Sequence, residues 1–167
     1  MDRLLDQMRW GPRYLSRPEI AALVVEALRY GETPLGHYTL HAFVVMPNHV
    51  HVLLTPHVPV PRLLCSLKAA SARRANQAMG TTGQTFWQEE SYDHLVRNDK
   101  EFARIQAYIE GNPMRAGLAQ SPEDYPWSSA VQREAGHGPA AAHGAAPPPD
   151  STLAVQRQKL QGQARIL

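Results

Sequence analysis

The sequence predicts an α+β domain, on three grounds. Segments of helical period alternate with segments of strand period, two β-rich runs follow one another across a tight Pro47-Asn48 turn, and 43% hydrophobic content in 167 residues is enough for one packed core. The expected order is helix, strand, strand, helix, strand, helix.

The first helix is expected to begin near Arg17-Pro18. Ser16 can cap it, Pro18 suits its first turn, and Ile20, Leu23, Val24, Ala27 and Leu28 recur at helical spacing; Gly31 is expected to end it. The turn residues Glu32 to Gly36 lead into Tyr38 to Met46, rich in β-branched and aromatic residues, and Val50 to Thr55 forms the second run. From Pro61 to Met79 the set Leu63, Leu64, Leu67, Ala70 and Ala75 follows a helix, with Arg62, Lys68, Arg73 and Arg74 off the stripe as a basic side. Cys65 lies in the same apolar pattern and is expected to be a packed thiol. Tyr92 to Val96 predicts a short strand. Asp99 is expected to cap a last helix that carries Phe102, Ile105 and Ile109 and stops at Asn112-Pro113.

Residues 1–133 are thus expected to form one domain. Residues 134–167 are expected to be a low-complexity, disordered tail, because Ala, Gly, Pro and His, with Pro147-Pro-Pro149, cannot bury enough apolar surface to offset the entropy of ordering. Leu153, Val155 and Leu160 give only a weak helical pattern there.

The net charge of +2 and the pI near 8.9, with 17 Lys and Arg, permit a local basic face for a polyanion without demanding one. A single cysteine excludes an internal disulfide and suits a reducing compartment. No apolar stretch is long enough to span a bilayer, and Asp2, Arg3 and Asp6 interrupt any signal-peptide core, so a cytoplasmic location without membrane contact is expected.

Two constellations can do chemistry. His49 and His51, two apart on a strand, would point to one face and could share a metal ion as neutral rings; two ordinary strand histidines are the plain alternative. Tyr108 and Asn112, four apart, share a helical face. A phenol with a pKa near about 10 becomes a useful nucleophile for a phosphate only when charge is withdrawn from that phosphate, which a metal does. The plain alternative is that Tyr108 packs on the sheet and Asn112 closes the helix before Pro113.

Several blocks, in order, carry a family resemblance. They are Arg17-Pro-Glu-Ile-Ala, His41-Ala-Phe-Val-Val-Met-Pro-Asn-His-Val-His-Val-Leu-Leu, Ser66-Leu-Lys with Ala72-Arg-Arg-Ala-Asn76, Phe86-Trp-Gln-Glu-Glu-Ser-Tyr-Asp93, Tyr108-Ile-Glu-Gly-Asn-Pro-Met-Arg-Ala-Gly-Leu118 and Tyr125-Pro-Trp-Ser-Ser-Ala130. From about Asp2 to Ala130 the chain resembles the REP-associated tyrosine transposases of the HUH superfamily of single-tyrosine transposases. The resemblance implies a ferredoxin-like antiparallel sheet with helices packed on it, a metal pair at His49 and His51 completed by Asn112, and Tyr108 as the nucleophile that forms a 5′-phosphotyrosine. Two imidazoles and an amide oxygen, without thiols, suit Mg²⁺ or Mn²⁺. The implied partner is single-stranded DNA beside a hairpin or palindromic repeat, met by a monomer or homodimer at the nucleoid. Lys68, Arg73 and Arg74 are candidate phosphate contacts and Trp87 and Tyr92 candidate stacking platforms, while Trp127 is expected to pack.

The resemblance also implies a strand ahead of the segment matching Asp2 to Leu5, inside the sheet, which this sequence does not supply. The expectation is either an upstream start or a decayed copy whose sheet exposes strand edges. Two other functions compete with cleavage by Tyr108: a domesticated, non-cleaving binder of DNA hairpins, and a phosphoester hydrolase using the histidines, a metal and water.

Overall fold

The computed structural model describes residues 12–88, 91, 93–131 and 164–166. After a 3-10 turn at Tyr14–Ser16 come helix α1 (Pro18–Glu32), strands β1 (Tyr38–Val45) and β2 (Val50–Pro56), and helix α2 (Val60–Met79). Strand β3 (His94–Leu95), helix α3 (Asp99–Glu110), the single turn α4 (Asn112–Arg115) and strand β4 (Arg165–Ile166) follow. The α+β class and the antiparallel sheet stand as expected. Four strands pair antiparallel in the order β1-β2-β4-β3. Among the described residues no helix is long and apolar enough to cross a membrane.

Alternation along β1 and β2 builds two cores. Phe43, Val45, Val52 and Leu54 face one side, where they pack with Ile20, Val24 and Leu28 of α1 and Leu63 and Ala75 of α2. Ala42, Val44 and Leu53 face the other, against Ile105 and Ile109 of α3. The sheet is therefore a middle layer with helices on both faces. The outer edge of β1 is covered by Trp127 to Ser129: Val45 N–H donates to Trp127 O at 2.9 Å and Ser129 N–H to Phe43 O at 3.0 Å. Trp127 packs on the α1 side, as expected.

Several local expectations are corrected. Arg17, not Ser16, occupies the cap position of α1, and the Ser16 hydroxyl donates back to Arg13 O at 2.6 Å. Gly31 does not end the helix. It lies inside it so that Tyr38 can approach: a Cβ there would stand 2.3 Å from the Tyr38 hydroxyl, which donates to Leu28 O at 2.6 Å. Burial, with Glu32 nearby, pushes the Tyr38 phenol well above its usual range. On α2 the buried stripe is Leu63, Ser71, Ala75 and Asn76, while Cys65 is exposed. Cys65 lies two residues beyond Leu63, roughly 200° around the helix, so it turns outward. Ser71 is tolerated inside because its hydroxyl donates to Leu67 O at 2.7 Å and accepts from the Trp87 indole at 2.8 Å. Asn98 rather than Asp99 caps α3, accepting from Glu101 N–H at 2.9 Å.

The largest difference concerns the tail. Residues 132–163, most of the segment expected to be disordered, lie outside the described residues. Residues 164–166, however, are not tail: Arg165 pairs with Leu54 and Leu95, and Ile166 with Leu53 and His94, which fills the slot between β2 and β3. Val96 N–H donates to Ala164 O at 2.8 Å, Ala164 is fully buried, and the Arg165 guanidinium grips both Asp93 carboxylate oxygens at 2.7 and 2.8 Å. The physical reason is the slot itself: the facing edges of β2 and β3 present N–H and C=O groups that need partners. The expected exposed edge at this place is absent.

Two outcomes follow from this packing. Gly31→Ala should destabilise the fold by about 1–3 kcal/mol in urea unfolding, although Ala is the better helix former, because the buried Tyr38 ring cannot move aside. In a Tyr38→Phe background the same change should cost clearly less, and equal costs would refute the clash. Removing residues 164–167 should lower stability by about 2–4 kcal/mol, through lost ladder bonds and an unpaired edge, whereas deleting 136–150 should leave the unfolding midpoint close to wild type. A truncation after 163 with an unchanged midpoint would refute the role given to β4.

Candidate active site

The histidine pair sits where β1 turns into β2. Met46 N–H donates to His49 O at 2.8 Å and closes the turn, so His49 lies just ahead of the strand rather than on it. His51 is within β2, opposite Val44. The two rings nonetheless converge, with centroids 4.7 Å apart and planes at 68°. The Asn48 amide oxygen accepts from His49 Nδ1 at 2.8 Å, which leaves the lone pair of that ring on Nε2. His51 is only 5% exposed, and its Nε2 is buried with no hydrogen-bond partner among the described residues.

A buried, unpartnered ring nitrogen beside a second imidazole is a donor set that fits a metal ion, since an orphaned acceptor is otherwise costly. Among the described residues no three of His, Cys, Asp and Glu come together, so two imidazoles would need oxygen donors from elsewhere. Both rings are held neutral. Burial lowers the His49 pKa, and burial, then His49, then the Arg115 charge push His51 down to about 3.

Tyr108 is brought to this pair by α3. Ile105 and Ile109 bury the helix against β1 and β2, and Tyr108, one residue before Ile109, lies half-buried at the edge of the same core. Its ring centroid is 5.9 Å from that of His51, at 66°. The end of α3 is tied to the segment that covers β1 by the Ser129 hydroxyl, which donates to Glu110 Oε1 at 2.8 Å, and that segment is tied to β1 by the Tyr125 hydroxyl, which donates to Val45 O at 2.9 Å. The helix stops at Glu110, two residues before Asn112-Pro113, because Pro113 has no N–H to continue the ladder. Asn112 opens the turn α4, four residues beyond Tyr108, and is partly buried.

The sequence reading missed Arg115. Its guanidinium lies 4.1 Å from the Tyr108 ring centroid and donates to Tyr108 O. The signal was its place seven residues after Tyr108, within a block already singled out. The candidate DNA contacts are not gathered here. Lys68 donates to Gln88 O at 2.7 Å, Arg74 pairs with Glu26, Trp87 packs on the α1 side of the sheet and Arg73 is exposed, all belonging to α2 or its following loop on the far face from Tyr108. Tyr92 lies outside the described residues.

Comparison with known proteins agrees with this geometry. Residues 34–112, which hold both histidines, Tyr108 and Asn112, match the family described as "Transposase IS200 like". The chain is 40% identical over 108 residues to a putative REP-associated tyrosine transposase of Haemophilus influenzae, covering 56% of this chain and 60% of that protein. It is 26% identical over 93 residues to the REP-associated tyrosine transposase of Escherichia coli, covering 55% of this chain and 54% of the other. The chain is similar to the REP-associated tyrosine transposases over these segments.

To the ISDra2 transposase TnpA of Deinococcus radiodurans it is 40% identical over 72 residues, covering 40% of this chain and 51% of that transposase. The chain thus spans between half and three fifths of the length of these relatives. Its fold is similar to that of a REP-associated tyrosine transposase solved bound to a REP hairpin, with a TM-score of 0.56 and 21% identity over 87% of this chain and 84% of that one. The transposase-like fold therefore extends beyond the residues that match the family in sequence.

The neutral His51 makes stability depend on pH. Its folded pKa of about 3 lies below the ordinary 6.5, so between these values the unfolded chain binds the extra proton and stability falls as pH falls. His51 alone should remove about 1.4 kcal/mol for each pH unit below 6.5, with His41 and His49 acting in the same direction. Unfolding midpoints measured in chelator from pH 7.5 down to about 4.5 should show this slope, and His51→Gln should flatten it; an unchanged slope would disprove the burial of a neutral ring.

Proposed function

We propose that the protein is a DNA transposase that cleaves and rejoins single-stranded DNA beside hairpins in the bacterial cytoplasm, with Tyr108 as nucleophile. The observation that carries the reading is the meeting of the Tyr108 ring with a histidine pair whose inner ring nitrogen has no partner among the described residues. The family match over these residues supports it, and a structural neighbour solved on a REP hairpin supports hairpin DNA as the substrate class.

In this reading His49, His51 and Asn112 would hold Mg²⁺ or Mn²⁺, which when bound supplies Lewis-acid withdrawal of charge from a phosphate. The chain's own residues do the rest. Asn48 keeps His49 in one tautomer, and burial keeps both rings neutral so that their lone pairs stay available. The hydrophobic seat of Ile105 and Ile109 holds the Tyr108 ring in place. The phenolic oxygen attacks phosphorus, the bond from phosphorus to the 3′ oxygen breaks, the phenol's proton passes to solvent and the departing 3′ oxygen gains one. The phosphotyrosine keeps the bond energy, so a second 3′ hydroxyl can reverse the attack and join strands without ATP.

The test is a labelled single strand carrying a hairpin, incubated with the full chain and Mn²⁺. Wild type should retain label through a phosphotyrosine and release a fragment ending in a 3′ hydroxyl. Tyr108→Phe should bind the strand as well, lose at most about 1 kcal/mol of stability, and form no adduct. Cutting that survives Tyr108→Phe would mean water or another residue is the nucleophile, and binding without any adduct from wild type would mean a hairpin binder.

A further inference from the structure

We infer that Arg115 is the phosphate-binding cation of the tyrosine site, holding a non-bridging oxygen of the attacked strand while its stacking fixes the Tyr108 ring. This rests on the proposed function in naming Tyr108 as nucleophile. The geometry is specific: the guanidinium lies over the Tyr108 ring at 4.1 Å, on the residue that also touches the His51 ring, and one of its N–H groups is spent on Tyr108 O. Arginine has five N–H donors in a planar fork that matches a phosphate, so most of the fork remains free for a ligand.

Charge accounting singles out this residue. Among the described residues, Arg104 is committed to Glu101, Arg165 to Asp93 and Arg29 to Glu32, while Arg97 lies ahead of α3, at the opposite end of that helix from Tyr108. No carboxylate among the described residues pairs with Arg115, and its side chain is exposed. Among the described residues, Arg115 is the cation stacked on the Tyr108 ring, which in turn touches the His51 ring. A cation stacked on a phenol ring without a counter-ion suits an anion that arrives with the substrate.

The experiment separates phosphate contact from ring support. In the Tyr108→Phe protein, which cannot react, binding of the hairpin-bearing single strand is measured against salt, with and without Arg115→Gln. Loss of one phosphate contact should reduce the slope of log affinity against log salt by about 0.7. In the protein with Tyr108 intact, Arg115→Gln should slow adduct formation about 100-fold, Arg115→Lys should recover part of it, and added guanidinium ion should partly rescue Arg115→Ala. An unchanged slope together with adduct formation within about threefold of wild type would overturn the inference. A slow adduct with an unchanged slope and no rescue would also overturn it, reducing Arg115 to a structural prop. If wild type forms no adduct the proposed function fails, yet the slope still decides whether Arg115 meets a phosphate.

Discussion

Antiparallel pairing of Tyr38–Val45 with Val50–Pro56 is the constraint on which the rest of the molecule depends. In a strand the side-chain period is two, so a slip of one residue would move every core side chain to the opposite face. Here the register sends Val52 and Leu54 towards α1 and α2, and Leu53 towards α3. His51 goes with Leu53, to the face where α3 brings Tyr108. The turn bond from Met46 to His49 then sets how far the first imidazole leans over the second. The core and the site are consequences of one pairing, and a change that shifts the register would lose both together.

How much of this was legible in the sequence depended on the range of the interaction. Alternation in Phe43 to Val45 and Val52 to Leu54 is a local signal, as is the spacing of Ile105 and Ile109, and these elements were found with the right type. The pairing of His49 with His51 was legible from spacing, although the turn that carries His49 was read as strand. What was not legible is contact between distant segments. Ser71 looks like a surface residue until Trp87 offers its indole, and Gly31 reads as a helix stop until Tyr38 is seen against it. Cys65 was misplaced because hydrophobicity was weighed without the angle around the helix.

Arg165 and Ile166 illustrate the limit most clearly. Two or three residues carry no detectable period, and they follow a long stretch whose composition argues for disorder. Their strand state comes from the edges they fill rather than from their own propensity. A pattern of tertiary origin leaves little local trace.

The electrostatics of the site also follow from the fold. A buried imidazolium would have no compensating carboxylate near His51, so burial drives the ring neutral and turns its Nε2 into an available lone pair. That leaves the chain with little fixed charge at the point where a doubly connected phosphate would have to sit. Two unit charges 4 Å apart attract by roughly 4 kcal/mol at an effective dielectric of 20, so one arginine at the rim matters there more than several on the solvated side of α2. The basic residues Arg73 and Arg74 lie across the sheet from Tyr108, and distance and solvent screening make them at most general attractants for a polyanion. In the proposed mechanism a neutral inner pair, an aromatic nucleophile and a stacked arginine would divide the work: the imidazoles would offer donors, the phenol an oxygen, and the guanidinium the charge that burial denies to the histidines.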